Sequence, residues 1–271
     1  MKTQRPIFVL LSILYLLSTL SLFAKKNSFK LPQYNCVHID QKIEIDGKLN
    51  ESVWKQAKTI QLAKTDTGQL PNKKTEAKML WDNQYLYVGF ICSDNDIWAT
   101  ISDHDGPIYS EEVVEVFIDP NNDQKTYIEL EVNPMNTLFD GFVINGKQQQ
   151  LGIKVLLDWE STELKHAIFI TGTLKTSHPN QRIGHGQPNQ RIGHGQPDQS
   201  WSCEMAIPFS DCITAPNIPP KEGDEWKLNL YRIERGKTKK EDEYSAWSPT
   251  RKIDYHRPQH FGVLRFIGPK Q

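Results

Sequence analysis

The chain has 271 residues, with 32 Lys and Arg against 33 Asp and Glu, for a formal net charge of −1. That balance excludes the basic footprint of a nucleic-acid-binding protein. Aromatic residues make up 10% of the chain, with Trp occurring seven times, which directs attention to aromatic binding surfaces.

Lys2 and Arg5 precede an apolar run over 7–17, and a small-residue stretch follows that ends at Ala24. This is the layout of a secretory signal peptide over 1–24, with cleavage after Ala24. The run is shorter than the roughly 20 residues a spanning helix needs. The expectation is a secreted, periplasmic or cell-surface domain over 25–271, with an uncleaved N-terminal anchor as the alternative. No later stretch is apolar enough to span a membrane. Four Cys, at 36, 92, 203 and 212, are too few for a disulfide framework in a chain of this size. Cys203 and Cys212 are the nearest pair in sequence; four buried free thiols are the alternative.

In chain order, 37–45 reads as a strand ended by Asp46-Gly47, and 51–56 as a helical turn capped by Asn50. Segments 77–81 and 85–92 form a hairpin about Asp82-Asn83-Gln84. Strands follow at 113–118, closed by Asp119-Pro120, and at 127–132, ended by Asn133-Pro134. Segments 139–144, 153–157, 167–174, 201–207, 226–233 and 262–267 continue the pattern. Roughly ten or eleven strands, separated by polar turns and without an amphipathic helix, predict an all-β fold. The expected form is a two-sheet antiparallel β-sandwich, jelly-roll-like. The nonapeptide PNQRIGHGQ occupies 179–187 and recurs letter for letter at 188–196. It reads as an expansion of a surface loop, because added loop length costs little. His178, His185 and His194 give it a metal-binding alternative.

Two strands carry polar groups in a telling alternation. In 113–118, Val114, Val116 and Ile118 share one face, and Val113, Glu115 and Phe117 the other. In 127–133, Ile128, Leu130 and Val132 face the core, while Tyr127, Glu129, Glu131 and Asn133 share the opposite side. If the strands are neighbours, one sheet face mixes carboxyls, an amide and rings. That mixture suits a sugar, whose C–H faces stack on rings and whose hydroxyls bond carboxylates. A solvated strand face is the plainer alternative. Asp103-His104-Asp105-Gly106 places oxygen ligands at alternate positions, making Asp103 and Asp105 candidate ligands for a structural calcium.

Five segments, IDGKLNESVWKQA (45–57), MLWDNQYLYVGFICSDND (79–96), EEVVEVFIDP (111–120), YIELEVNPMN (127–136) and HRPQHFGVLRF (256–266), follow one another through the chain. Together they resemble the family 9 carbohydrate-binding modules, β-sandwiches of the DOMON-like group. The resemblance implies non-catalytic sugar binding between two aromatic side chains, in modules often appended to glycoside hydrolases. Tyr109 and Tyr255 stand at the positions of the two clamping rings. Asp94 matches an acidic residue after the YLYV strand, and Glu115 the carboxylate within VEVFID. Glu131 stands where some members place an Arg that contacts the sugar. Arg232 is a candidate replacement for that guanidinium, Asn133 a further hydrogen-bonding group, and Trp247 another platform. The partner expected is an oligo- or polysaccharide, alongside a glycoside hydrolase on a separate chain. Related modules hold structural calcium.

No G-x-S-x-G, H-E-x-x-H or Walker motif is present. Two rival readings stand beside sugar binding: a glycoside hydrolase or lyase using the same acidic face, and a partner-binding sandwich whose sugar cleft has decayed.

Overall fold

A computed structural model describes residues 30–176, 191–193 and 197–268. The predicted signal peptide, and the tandem repeat apart from 191–193, lie outside the described residues, as do His178, His185 and His194. No helix among the described residues is long and apolar enough to cross a membrane.

The structure is built from strands and short 3-10 turns. The first strands are β1 (Gln33–His38), β2 (Ile60–Gln61), β3 (Ala63–Lys64), β4 (Thr75–Trp81) and β5 (Tyr85–Ser93). The middle of the chain forms β6 (Val113–Asp119), β7 (Thr126–Val132), β8 (Leu138–Asn145), β9 (Ile153–Leu156), β10 (Lys165–Thr171) and β11 (Thr173–Lys175). The last are β12 (Arg191–Gly193), β13 (Ser200–Pro208), β14 (Glu225–Glu234), β15 (Glu243–Ala246) and β16 (Gly262–Ile267). These sixteen exceed the predicted ten or eleven. β2, β3 and β15 are too short to show a periodic pattern. Gly172, at φ +144°, splits 167–174 in two; a Cβ there would lie 2.6 Å from the Cα of Asp198. Part of the second nonapeptide, read as loop, forms β12 and pairs with β11.

The main sheet runs β10-β13-β5-β4-β1-β16-β14-β6-β7-β8-β9 without a break in its hydrogen bonding. It folds over into an open sandwich, so the expected all-β sandwich holds while its two halves share one ladder. Not every pairing is antiparallel: β1 pairs in parallel with both β4 and β16. The chain between these strands supplies the long crossover that a parallel pair requires. Met79, Val88, Phe90 and Met205 from one half pack with Val114, Val116, Leu130 and Leu230 from the other in a single buried cluster. The strand alternation read for β6 and β7 therefore holds on the core side.

The predicted hairpin is β4–β5. Its three-residue turn is set by Asp82, whose Oδ1 accepts the N–H groups of Gln84 and Tyr85 at 2.7 Å each. All four Cys are buried and unbridged, which removes the Cys203–Cys212 pair. The helical turn is a 3-10 helix over Ser52–Gln56, with Glu51 rather than Asn50 at its N-cap. The first strand lies earlier than predicted, because the chain leaves the ladder after His38.

The segment 45–57 forms a clamp around a buried carboxylate. Glu204 accepts the Asp46 N–H at 3.1 Å, the Gly47 N–H at 3.0 Å and Trp54 Nε1–H at 3.0 Å. Burial nonetheless pushes its carboxyl up to about 7. Gly47 sits at φ +85°, and a Cβ there would lie 2.5 Å from the carbonyl carbon of Ile168. The Gly47→Ala variant is expected to lose about 2–3 kcal/mol of stability, from positive φ and backbone overlap together. A melting temperature equal to the parent's would reject this clamp.

Candidate functional site

The outer face of the β14–β6–β7–β8 half carries a cavity of about 400 Å3. Its floor follows from sheet register. Glu115 on β6 stands directly opposite Glu131 on β7, and Phe117 opposite Glu129. On the other flank of β6, Tyr231 of β14 pairs with Glu115. Pleating sends these side chains outward together.

Glu115, Glu129 and Glu131 are 2%, 5% and 1% exposed, so each is nine-tenths buried or more. Their carboxyl oxygens lie within 4.8 Å of one another. Glu115 Oε1, Glu129 Oε2 and Glu131 Oε2 have no hydrogen-bond partner among the described residues. Buried polar atoms are normally satisfied, so three such oxygens on one wall offer hydrogen-bonding capacity to a ligand in the cavity. Burial is the main cause that pushes all three carboxyls up, Glu129 to about 7. Mutual repulsion adds to it at Glu115 and Glu131, and Arg235 opposes it at Glu115.

The aromatic walls are held in place. The Tyr255 ring stacks on Tyr231 at 4.0 Å between centroids and 10° between planes. The Tyr255 hydroxyl donates to the Arg232 carbonyl at 2.9 Å, and the Tyr231 hydroxyl returns a bond to the Tyr255 carbonyl at 2.9 Å. Tyr109, 50% exposed, stands at the rim of the same cavity. Its carbonyl accepts Arg235 Nη2–H at 2.7 Å.

His256 completes the wall. Asn145 donates to the Tyr127 hydroxyl at 3.1 Å, and that hydroxyl lies 2.8 Å from His256 Nδ1. This order lets Tyr127 donate to Nδ1, leaving the proton on Nε2, which lies 3.9 Å from Glu129 Oε1. Burial, helped by Lys147, pulls the imidazole down to about 4, so it is neutral at pH 7.

Tyr109, Tyr255 and Glu115 thus meet in one cavity, while the remaining predicted residues go elsewhere. Arg232 is 1% exposed and stands opposite Val114, on the core side of β14. There its guanidinium pairs with Asp94 Oδ2 at 3.1 Å and with Glu234. Asp94 is likewise inside the sandwich, with Lys73 Nζ 3.6 Å from its other oxygen. A motif position carries no information on the strand parity of β14, which turns Arg232 inward, or on how the folded sheet brings Asp94, just after β5, against it. Asn133 is consumed by the turn after β7: it donates to the Ile101 carbonyl at 2.8 Å and accepts Met135 N–H at 3.0 Å and Thr137 N–H at 2.9 Å. Trp247 is no platform. It lies over Gly262, where a Cβ would come within 2.6 Å of its ring, and packs edge-on against Tyr34.

The calcium expectation also changes. Asp103 is exposed, and its backbone carbonyl accepts the Gly106 N–H at 3.0 Å. Of the three groups of side chains among the described residues whose ligand atoms lie close enough to share a cation, the one at this loop is His104, Asp105 and Glu160. His104 Nε2 lies 3.2 Å from Asp140 Oδ1 as well. An imidazole in the donor set does not fit the all-oxygen shell calcium prefers.

Glu129, Glu131, His256, Phe139 and Tyr244 line the cleft beyond the predicted residues. The alternation of β7 carried the signal for the two glutamates; nothing local marks the other three. A larger cavity of about 640 Å3 lies near Glu234 and Arg235, but no aromatic residue lines it. Its charges are largely paired with one another, as in Arg235–Asp242 at 2.7 Å and Lys64–Glu243 at 3.2 Å.

The fold and cleft define a β-sandwich module whose open sheet face carries one aromatic, carboxyl-floored cavity. Residues 45–155 match the family described as carbohydrate family 9 binding domain-like. An extracellular protein of Arthroderma benhamiae is 24% identical over 77% of this chain and 85% of its own length. An endo-1,4-beta-xylanase A of Thermoanaerobacterium saccharolyticum is 36% identical over 31% of this chain, a stretch covering only 7% of the xylanase. Among solved structures, a family 9 carbohydrate-binding module of Caldicellulosiruptor kristjanssonii, in complex with cellotriose, superimposes with a TM-score of 0.55. That match is 12% identical and covers 88% of this chain and 95% of the module, so it speaks to the fold alone.

Proposed function

We propose that the protein binds a carbohydrate without transforming it, in the cavity between Tyr109 and Tyr255, as an exported domain over 25–271. One observation carries this: Tyr109 and Tyr255, with Tyr244, line a cavity floored by three buried carboxyls with unpartnered oxygens. Rings supply surface for sugar C–H faces, and the carboxyls supply hydrogen-bonding groups for hydroxyls. The family match and the cellotriose-bound structural relative support the same reading. The signal-like leader and the extracellular relative support export, and the xylanase relative supports a role beside polysaccharide-degrading enzymes.

The arrangement argues against hydrolysis. Glycosidases set two carboxyls on opposite sides of the scissile bond and drive their pKa values apart. Here Glu115, Glu129 and Glu131 crowd within 4.8 Å on a single wall, and burial pushes all three the same way.

Tyr109→Ala tests the cleft. Half-exposed and at the rim, Tyr109 contributes little to folding, so melting is expected to stay within about 0.5 kcal/mol of the parent. Affinity for the best ligand on a glycan array is expected to fall by about ten- to a hundredfold, the worth of one stacked ring. Undiminished affinity in Tyr109→Ala combined with Tyr255→Phe would move the binding site elsewhere. Release of reducing sugar by the pure protein would revive the hydrolase reading.

A further inference from the structure

The cleft's charge selects among sugars. Among the described residues lining it there is no Lys or Arg, while its floor presents Glu115, Glu129 and Glu131; the rim Asp254 is already paired with Lys147 at 2.8 Å. The nearest guanidinium, Arg235, is held by Asp242 at 2.7 Å and by the Tyr244 hydroxyl at 2.6 Å. His256, facing Glu129, is neutral at pH 7. Such a cavity disfavours uronic acids and sulfated sugars, whose anions would be buried beside three carboxyl groups with no Lys or Arg among the lining residues to pair with them. A neutral sugar satisfies the floor only with hydroxyl donors and leaves any ionised carboxyl uncompensated.

Resting on the carbohydrate reading, we infer that the preferred ligand is an amino sugar of the 2-amino-2-deoxyhexose class, with its primary ammonium seated on Glu115, Glu129 and Glu131. The match is one of number and charge. An ammonium has three N–H donors, and three buried carboxyl oxygens, one from each glutamate, lack a partner. Its pyranose ring then occupies the space between Tyr255 and Tyr109. A divalent cation suits the site less. It takes six or more oxygens, whereas the cavity continues into Phe117, Phe139, Val155 and Ile233, which offer carbon.

Binding is coupled to protons. The free carboxyls hold protons to higher pH than ordinary glutamates, for burial disfavours their ionised form. An arriving ammonium favours ionisation, so protons leave the floor as the amino sugar binds. A neutral sugar produces no such release.

Calorimetry on the 25–271 protein at pH 7 decides, with three probes: the glucosamine trisaccharide, its fully N-acetylated form and cellotriose. Each is measured with chelator and with calcium, in two buffers of different ionisation heat. The expected result is tenfold or tighter binding of the free-amine trisaccharide over both neutral probes, accompanied by proton release and independent of calcium. Glu131→Gln is expected to erase that preference, bringing the free-amine trisaccharide to within threefold of its N-acetylated form. Glu129→Gln, on the same floor, serves as the second variant should Glu131→Gln not fold. Equal affinity for all three probes, or tighter binding of a neutral one, overturns the amino-sugar inference and leaves the carbohydrate reading standing. Binding that requires calcium overturns it too, since the carboxyls would then ligate metal. Failure of every sugar on the array overturns both.

Discussion

Replacing Arg232 by Met is expected to destabilise the protein by about 3–5 kcal/mol, the usual cost of stripping one partner from a buried ion pair. Arg232 lies in the sandwich interior against Asp94 and Glu234, its guanidinium carbon 5.8 Å from the Trp201 ring centroid. Glu112, fully buried, sits in the same acidic group, and its carboxyl is pushed well up, by burial first and Asp94 next. Without the guanidinium, three acidic side chains share a dry pocket with only Lys73 nearby, 3.6 Å from Asp94 and 3.8 Å from Glu234. For a domain of this size the melting temperature should fall by roughly 6–20 °C. Thermal unfolding by circular dichroism reads this directly. The contrary result is unchanged melting with lost sugar binding, which would return Arg232 to the cleft.

The second large effect is on pH dependence. Burial lifts Glu129 from 4.5 to about 7 in the folded protein. Below pH 4.5 the carboxyl is protonated whether the chain is folded or not, and no penalty arises. Between there and about 7 the unfolded chain releases its proton while the folded chain retains it. Stability therefore falls as pH rises through that window, by roughly 3 kcal/mol from Glu129. Glu115 and Glu131, pushed the same way, extend the loss upward in pH. Glu129→Gln is expected to gain stability over the parent at pH 7.5 and to match it near pH 4, as denaturant titrations at the two values would reveal. A variant equally destabilised at both would mean that Glu129 is ionised and paired throughout.

Much of the frame was legible in the chain. Period-two alternation at 113–118 and 127–132 placed Val114, Val116, Ile128 and Leu130 in the core, where they are. Asp82-Asn83-Gln84 marked its hairpin because one Asx side chain closes the turn locally. The segment IDGKLNESVW proved structural, a clamp on Glu204 whose partner lies 150 residues beyond Trp54. No local pattern reports a contact at that separation.

The candidate site divided along the same line. Tyr109, Tyr255 and Glu115 were reachable from motif position alone. Arg232 and Asp94 were misplaced because their faces depend on the register of β14 against β6 and on how the sheet folds over. Asn133 and Trp247 were misplaced because turn hydrogen bonds and the contact with Gly262 arise only in the folded chain. By itself the sequence determined the all-β class and the strand faces, since alternation and turn chemistry act over a few residues, while the family resemblance pointed to Tyr109 and Tyr255, which line one cavity. The tertiary structure alone decided that three glutamates share one dry floor and that the arginine lies on the other side of the sheet. Strand pairing between distant segments sets both, and burial then sets their charge.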